Sequence, residues 1–495
     1  MQMTLSVRRL VSLLSASALV ATLAVATVPA AMVLAATPSG TVIFDNTAAV
    51  LPPNLPSVGY EATSTSEWGT EVQFGGAQRL LTKVVVTMSD WALNSTYPTM
   101  PASGWTHPIT LNLYQVGSPT PGALIKSVTQ TFTIPWRPAT PVCATDPTAY
   151  VASDGNCYHG LAFNITFDLA GTIVPDQLIV GIAYNTSDYG VTPLRATAPS
   201  GGPYDSLNVA TYPGTGDGTV PTQPSVGSFP FPLGSYLNST WTGAYGDGGA
   251  GGTGTFRFDP SSWGGYQPAV QFSALYVCSP TGLTRDGINL TAAILNPLTP
   301  VAGTVNATGC NIGVYYGPGT SGSVSGANIF GANYYGVVAN AASVSVSNTS
   351  IHDIGETPLN GDQHGVGVLY TTIDQAGTHT GASATGTLSG TTITNYQKNG
   401  VVVSGTGAAV TVQGNTVTGQ GPVNYIAQNG IEISYGGSAT VTGNTVSGNW
   451  YTGPTYTACG LLFYKAGGVK QSKNVLFANQ TNLCNAGRGG GNVSF

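Results

Sequence analysis

The sequence predicts an all-β chain in two parts, a β-sandwich or jelly roll followed by a β-solenoid. Three observations predict it. First, glycine-led apolar tetrapeptides recur through the last third: Gly336-Val337-Val338-Ala339, Gly365-Val366-Gly367-Val368, Gly400-Val401-Val402-Val403, Gly430-Ile431-Glu432-Ile433 and Gly460-Leu461-Leu462-Phe463. Their glycines step by 29, 35, 30 and 30 residues. Second, another series runs in phase with them: Asn328-Ile329, Asn348-Thr349-Ser350-Ile351, Thr391-Thr392-Ile393, Asn415-Thr416-Val417 and Asn444-Thr445-Val446. Two short segments with period-2 β-branched residues per repeat argue strand, not helix. A repeat of this size cannot bury its apolar face alone, so it must stack on its neighbours. Third, residues 37–279 read as some nine short strands punctuated by Gly and Pro, at 41–45, 71–74, 80–88, 109–115, 124–134, 162–169, 177–184, 255–258 and 269–277. That spacing is the pattern of a sandwich or jelly roll.

Ahead of both parts, residues 1–36 have the layout of an export signal. Arg8 and Arg9 form a charged start, an apolar stretch runs from Val11 to Val33, and Val33-Leu34-Ala35 offers a small-residue cleavage site. No later stretch is long and apolar enough to span a bilayer. Export fits the six cysteines, since oxidising compartments preserve disulfides. They fall as local pairs, Cys143/Cys157, Cys278/Cys310 and Cys459/Cys484. The last pair is separated by about one coil. Stacked coils lie about 4.8 Å apart, within the roughly 4.4–6.8 Å that disulfide Cα atoms need. The spacings match no zinc site.

Charge is scarce. Removing Arg8 and Arg9 from 14 Lys+Arg leaves 12 against 20 Asp+Glu, a net of −8. An acidic chain lacks the basic footprint that nucleic acid requires. Low charge with ample apolar residues also argues against disorder. The 199–254 stretch is a long Pro/Gly-rich loop, either a functional lid or an insert.

Residues 281–495 resemble the right-handed parallel β-helix repeat family, in the broad pectate-lyase-like and NosD-like sense. The likeness is carried by Gly414-Asn415-Thr416-Val417 and Gly443-Asn444-Thr445-Val446, each leading to a Gly-Ile or Gly-Leu strand. It implies a right-handed parallel β-helix over 280–495, of about six coils. The region before it resembles an N-terminal domain of uncharacterised secreted bacterial proteins, through Asp90-Trp91, Gly104-Trp105-Thr106-His107-Pro108, Trp136-Arg137-Pro138 and Ala183-Tyr184-Asn185-Thr186. That likeness brings no activity with it.

The coils carry extra residues at one corner, in 355–364, 421–429 and 450–459. Insertions on one face of a solenoid often form its binding surface. Here they bring aromatics and amides, which offer sugars a face to stack on and partners for hydroxyls. With the tyrosines at the far end of the glycine-led strands, the candidate ligand-binding residues are Tyr370, Tyr425, Gln428, Tyr435, Trp450, Tyr451, Tyr456 and Tyr464. Alternation along those strands points Val366, Val401, Ile431 and Leu461 inward. It leaves Val338, Gly367, Val402, Glu432 and Leu462 facing out, with Glu432 the one charge in that column.

Chemistry is thinner. Lyases of the resembled family would need a calcium-binding acid cluster or a basic proton abstractor near an arginine. Calcium wants several oxygens from one place, and only Glu356 and Asp362, with Asp353 near, approach that, so calcium is a possibility and no other cofactor is expected. Glycosidases need paired carboxylates across a cleft, and no local double-acid motif is present. The candidate catalytic residues are Asp362, His364, Glu432 and Lys465. His352, His364 and His379 lack metal-ligand spacing. Lys465, Lys470, Lys473 and Arg488 read as a polar cap on the open end. Trp68, Trp91, Trp105 and Trp136 read as core rather than as a sugar platform. The expected function is an exported protein that contacts extracellular or cell-surface glycans without cleaving them, or serves as a structural or adhesive module. A polysaccharide lyase or glycoside hydrolase is the alternative.

Overall fold

The structure is a computed structural model that describes residues 40–60, 65–98, 100–184, 207–212, 223–238, 255–260 and 266–485. The expected export signal, most of the 199–254 loop and Arg488 lie outside them. No described helix is long and apolar enough to cross a membrane.

Before residue 276 all strand pairing is antiparallel. One six-stranded sheet contains Thr41–Asp45, Ser57–Gly59, Leu80–Asp90, Leu161–Ile173, Leu207–Ala210 and Val270–Leu275. The other contains Glu67–Gln73, Trp105–Tyr114, Leu124–Ile134, Gln177–Ala183, Ser235–Leu237 and Arg257–Asp259. Alternate residues of both enter one buried cluster, Phe44, Val84 and Phe272 from the first with Trp68, Val72, Leu111 and Val180 from the second. Trp68, Trp105 and Trp136 belong to that core. Residues 38–495 form one compact unit, and the change near residue 280 is a change in strand pairing.

From residue 288 onward the pairing becomes parallel. Eight parallel strands stack in one sheet: Ile288–Leu295, Ile312–Tyr316, Tyr335–Asn340, Val366–Thr371, Asn399–Ser404, Asn429–Ser434, Cys459–Tyr464 and Thr481–Asn485. They mark seven turns, one more than expected. From Tyr335 onward each full turn has three strands, where the repeat pattern suggested two; in the two turns before it the single strands Val301–Asn306 and Ser321–Phe330 stand in for the second and third. The coil that starts at Asn399–Ser404 continues through Ala408–Gln413 and Thr416–Val423. The additional ladder is Ser343–Ser347, Ala384–Ser389, Ala408–Gln413, Ser438–Thr442 and Gly468–Ser472.

The expected second series holds residue by residue, since Ile329, Ile351, Ile393, Val417 and Val446 stack in one column. The glycine series needs one correction. Gly367, not Gly365, stands beneath Gly400, because Val366 pairs with Asn399 and Val368 with Val401. The glycine column is tight. A Cβ on Gly367 would lie 2.6 Å from both the Gly400 carbonyl oxygen and Ile393 Cγ2. Only a residue without a side chain lets successive coils approach there. Simple alternation fails at this column. Val366, expected inside, packs on the outer side, and Leu369 rather than Gly367 occupies the outward position beside Val338, Val402, Glu432 and Leu462.

Buried asparagines tie the coils together. Asn415 Nδ2 donates to Asn444 Oδ1 (2.9 Å), and Asn444 Nδ2 donates to Asn474 Oδ1 (3.0 Å).

The six cysteines form three disulfides, and the structure supplies the connectivity the sequence left open: Cys143–Cys157, Cys278–Cys310 and Cys459–Cys484. They do not have the same setting. Cys459–Cys484 joins neighbouring coils with Cα atoms 5.9 Å apart. Cys143–Cys157 lies before the solenoid, with Cα atoms 5.8 Å apart. Cys143 is buried, but Cys157 is exposed, at the start of the two-residue strand Cys157–Tyr158. Among the described residues that strand pairs only with Tyr150–Val151, in a small sheet apart from both six-stranded ones. Cys157 therefore closes a surface loop outside the buried core.

Candidate functional site

The first edge of the eight-strand sheet is a hairpin, Ile288–Leu295 with the antiparallel strand Ser279–Arg285, whose tip folds over the outward face. Its two-residue turn is Asp286-Gly287, both at positive φ (52° and 77°), the backbone that Asp-Gly turns favour. The underside is apolar. Leu283 and Leu290 pack on Tyr335, Val338, Val366, Leu369, Ile373 and Val402. The hairpin is also tied by polar contacts. Thr284 N donates to Gln375 O (3.1 Å). Arg285 donates to the Tyr335 hydroxyl (2.5 Å) and to Gln363 O (2.6 Å).

At the turn, polar groups from three coils converge. His364 Nε2 lies 2.8 Å from Glu356 Oε1, and its Nδ1 lies 3.5 Å from Asp286 Oδ2. The imidazole is stacked on the ring of Tyr334 at 3.8 Å. Tyr334 also hydrogen-bonds Asp286, and burial, followed by the Asp286 charge, pushes its hydroxyl up to about 12. Glu356 further accepts from Asn333 Nδ2 (3.0 Å). His364 is buried, whereas Glu356 and Asp286 are partly open, with side-chain exposures of 30% and 55%. The result is a histidine clamped between two solvent-reaching carboxylates, with a guanidinium beside them.

A cavity of about 320 Å³ opens next to this cluster. Leu283, Leu290, Leu369, Ile373 and Tyr335 form its apolar wall, and Arg285 and Asp286 stand at its rim.

From Asn399–Ser404 onward the same face turns polar. Asn399 Nδ2 donates to Glu432 Oε2 (2.7 Å), and Asn429 Nδ2 donates to Asn399 Oδ1 (3.1 Å). Lys398 Nζ donates to the Ala427 carbonyl (2.9 Å). Burial lowers the Lys398 pKa, and the Glu432 charge opposes that shift.

The residues singled out from sequence are not all brought together. Of the four catalytic candidates, only His364 is in the cluster. Asp362 is exposed and accepts from Asn360 (2.8 Å). Glu432 is fully buried with Asn399, and Lys465 lies over the Tyr464 ring at 5.2 Å. Tyr370, expected on the binding surface, is a core residue whose hydroxyl donates to Val344 O (2.9 Å). The two-residue register difference at Gly367 is the reason: Tyr370 stacks with Val403, not beside Tyr435. Gln428 is also buried, its amide spent on Tyr396 O (2.7 Å) and Gln420 N (2.9 Å). Tyr435 and Tyr464 meet edge to face at 5.4 Å, at the opposite edge of the sheet from the corner loops. Trp450 and Tyr456 are exposed on the inserted corner, with Tyr451 and Tyr425 half-buried nearby in the chain. Asp353 bonds His352 (2.7 Å) and Asn395, away from Glu356 and Asp362 in its contacts. Among the described residues no group of three or more His, Cys, Asp or Glu is placed to hold a metal.

Arg285, Asp286, Tyr334, Tyr335, Lys398 and Asn399 were not singled out as a site, and Glu356 was singled out only with Asp362 and Asp353 for calcium. They span more than a hundred residues of sequence, and only coil stacking unites them. The Asp-Gly dipeptide between two β-type segments was the one local signal.

Residues 303–481 match the family model described as a right-handed beta helix region. No curated protein matches the chain. Among solved structures, an alginate lyase from Paenibacillus sp. str. FPU-7 is similar at 13% identity over 39% of this chain and 87% of that one, TM-score 0.19. The Agl-KA catalytic domain is similar at 10% identity over 92% of this chain and 100% of that one, TM-score 0.18. The catalytic domain of a GH87 alpha-1,3-glucanase, the D1069A variant in complex with tetrasaccharides, is similar at 10% identity over 90% and 69%, TM-score 0.19. Likenesses at these TM-scores carry no argument about this chain.

Proposed function

Taking as premise that residues 303–481 belong to the right-handed β-helix family, we propose that this is an exported protein whose β-helix contacts extracellular glycans along its inserted corner. In this reading residues 1–36 are the export signal, 37–279 a β-sandwich domain and 280–495 the β-helix. The three disulfides support an oxidising destination.

The observation that carries the reading is the composition of one edge. Trp450 and Tyr456 are exposed there, and the carboxylates of Asp286 and Glu356 lie on the same side a few coils away, beside a cavity that runs across the sheet face from Tyr335 to Ala376. Flat apolar rings and hydroxyl acceptors spread along a line suit a chain of sugars. Binding rather than cleavage is favoured because Asp362, His364, Glu432 and Lys465 each serve separate local contacts, whereas catalysis needs acid and base in reach of one atom. One observation favours the second reading, a polysaccharide lyase or glycoside hydrolase. Asp286 and Glu356 flank His364 in an open position, and such a trio is able to move a proton.

The test is retention of the purified mature protein on immobilised xylan, laminarin, dextran, chitin, alginate and polygalacturonate, with product release measured in parallel. Retention on at least one, weakened roughly tenfold by Trp450→Ala, about 1.4 kcal/mol, is expected. New reducing or unsaturated ends, lost in His364→Ala, would instead establish the enzyme.

A further inference from the structure

We propose that the cavity under the Asp286-Gly287 turn receives one neutral sugar ring at the end of a glycan chain. The inference rests on the glycan-contact reading and names which part of the chain is gripped.

Size comes first. At about 320 Å³ the cavity is at the lower end of small-ligand pockets, which run from about 300 to 1,000 Å³, so it has room for about one ring and not a run of them. Its far side is bridged by one backbone contact. The Thr284 N–Gln375 O bond joins the hairpin to the loop that carries Ala376 and Gly377, both on the cavity wall. A chain entering here therefore ends here.

The wall chemistry fits a ring better than an extended polar group. Leu290, Leu369, Ile373 and Tyr335 offer an apolar surface to the C–H face of a pyranose. Polar recognition is confined to the rim. Asp286 is fixed by Tyr334 and His364 yet remains more than half exposed. An ionised carboxylate is an acceptor with room for several donors, so it suits a pair of adjacent hydroxyls.

Neutrality follows from the surrounding charge. Asp286 and Glu356 both lean on His364, and the Arg285 guanidinium already faces the Tyr335 hydroxyl, Gln363 O and the Asp286 carboxylate. A uronate would set a second carboxylate beside Asp286 at this rim, with Glu356 close by on the other side of His364, and like charges at close range oppose binding.

The experiment uses xylan, laminarin and dextran oligomers in graded lengths, immobilised at equal mass, with polygalacturonate oligomers as the acidic arm. For end-on capture, bound protein rises with the number of chain ends on at least one neutral series, and the acidic series binds at least tenfold less. Two variants probe the cavity. Ala376→Trp fills it from an exposed loop position, and Asp286→Asn keeps a residue that tolerates the positive φ while removing the charge. Each is expected to weaken binding tenfold or more, with unchanged cooperative melting. Capacity that follows total mass regardless of length, equal capture of the acidic oligomers, or wild-type binding by both variants overturns the proposal and leaves glycan contact standing. No retention of the wild-type protein by any polymer overturns both.

Discussion

The outward face of the eight-strand sheet is built in two ways. Beneath the hairpin its residues are Tyr335, Val338, Val366, Leu369 and Val402, which pack with Leu283 and Leu290 as a second apolar cluster, separate from the coil interior. In the strand that carries Val402 and in the one after it, this face also holds Asn399, Ser404, Asn429, Glu432 and Ser434. Strand geometry is shared, and the registers are continuous. The difference lies in what each half contacts. One is a floor for another element of the fold, where polar groups would be stranded. The other links its amide and carboxylate side chains by bonds that run along the stack, from Asn429 to Asn399 to Glu432. Position in a repeat thus sets which way a side chain points, and only the neighbouring layer sets what that side chain must be.

The largest effect that would sharpen this contrast concerns Lys398 and Glu432. Removing one charge of a buried interacting pair leaves the other uncompensated. Glu432→Leu is expected to lose about 4 kcal/mol of stability, and Lys398→Met with Glu432→Leu to regain most of it. Urea unfolding of the two single variants and the double variant measures this. If the double variant is no better than the worse single one, the polar half is not organised around these charges.

Next in size is the covered half. Leu369→Ala should cost about 3 kcal/mol, as cavity-forming changes at buried leucines do. It should also loosen the hairpin, which faster hydrogen exchange in 279–295 would report. An unchanged exchange rate there would mean that the polar ties of Arg285 and Thr284 hold the hairpin without its apolar floor.

The smallest effect is a pH dependence. Burial depresses the Lys398 pKa below its ordinary 10.5 in the folded state. Between the folded and unfolded values the unfolded chain binds the extra proton, so this group's contribution makes stability rise with pH across that window. One proton of difference gives a slope of at most about 1.4 kcal/mol per pH step of one. Lys398→Met should remove it. A wild-type curve that is flat or falls between pH 8 and 9.5, and is unaltered by the substitution, would break the assignment.

The sequence was most legible where a side chain repeats for a reason internal to one coil. The Ile329, Ile351, Ile393, Val417 and Val446 column could be read because each fills the same interior position beside the glycine column. The glycine column was read nearly as well, and the one slip came where two glycines, Gly365 and Gly367, compete within three residues. That slip misplaced Tyr370. The third ladder escaped notice although Ser343-Val344-Ser345-Val346-Ser347 alternates cleanly, because its later members are weakened by Gly386, Ala409 and Gln471. The hairpin was hidden by its own position, since the expected boundary at 279/280 falls at its first residue. The site was least legible of all. Its members come from coils that are distant in sequence, and no local spacing links Asp286 to His364 or Lys398 to Glu432.

The two staples in the solenoid have a mechanical consequence. Cys278–Cys310 and Cys459–Cys484 are 32 and 25 residues apart, and each ties a segment to the coil beside it near one end of the described stack. A one-dimensional array ordinarily unravels by fraying, since a terminal coil has a neighbour on one side alone. With both margins riveted, peeling force applied to the outermost turn passes across a covalent bond to the next. The yield point of the array is then set by its interior coils, and it gives way as a block, unlike a spool that unwinds from a loose end.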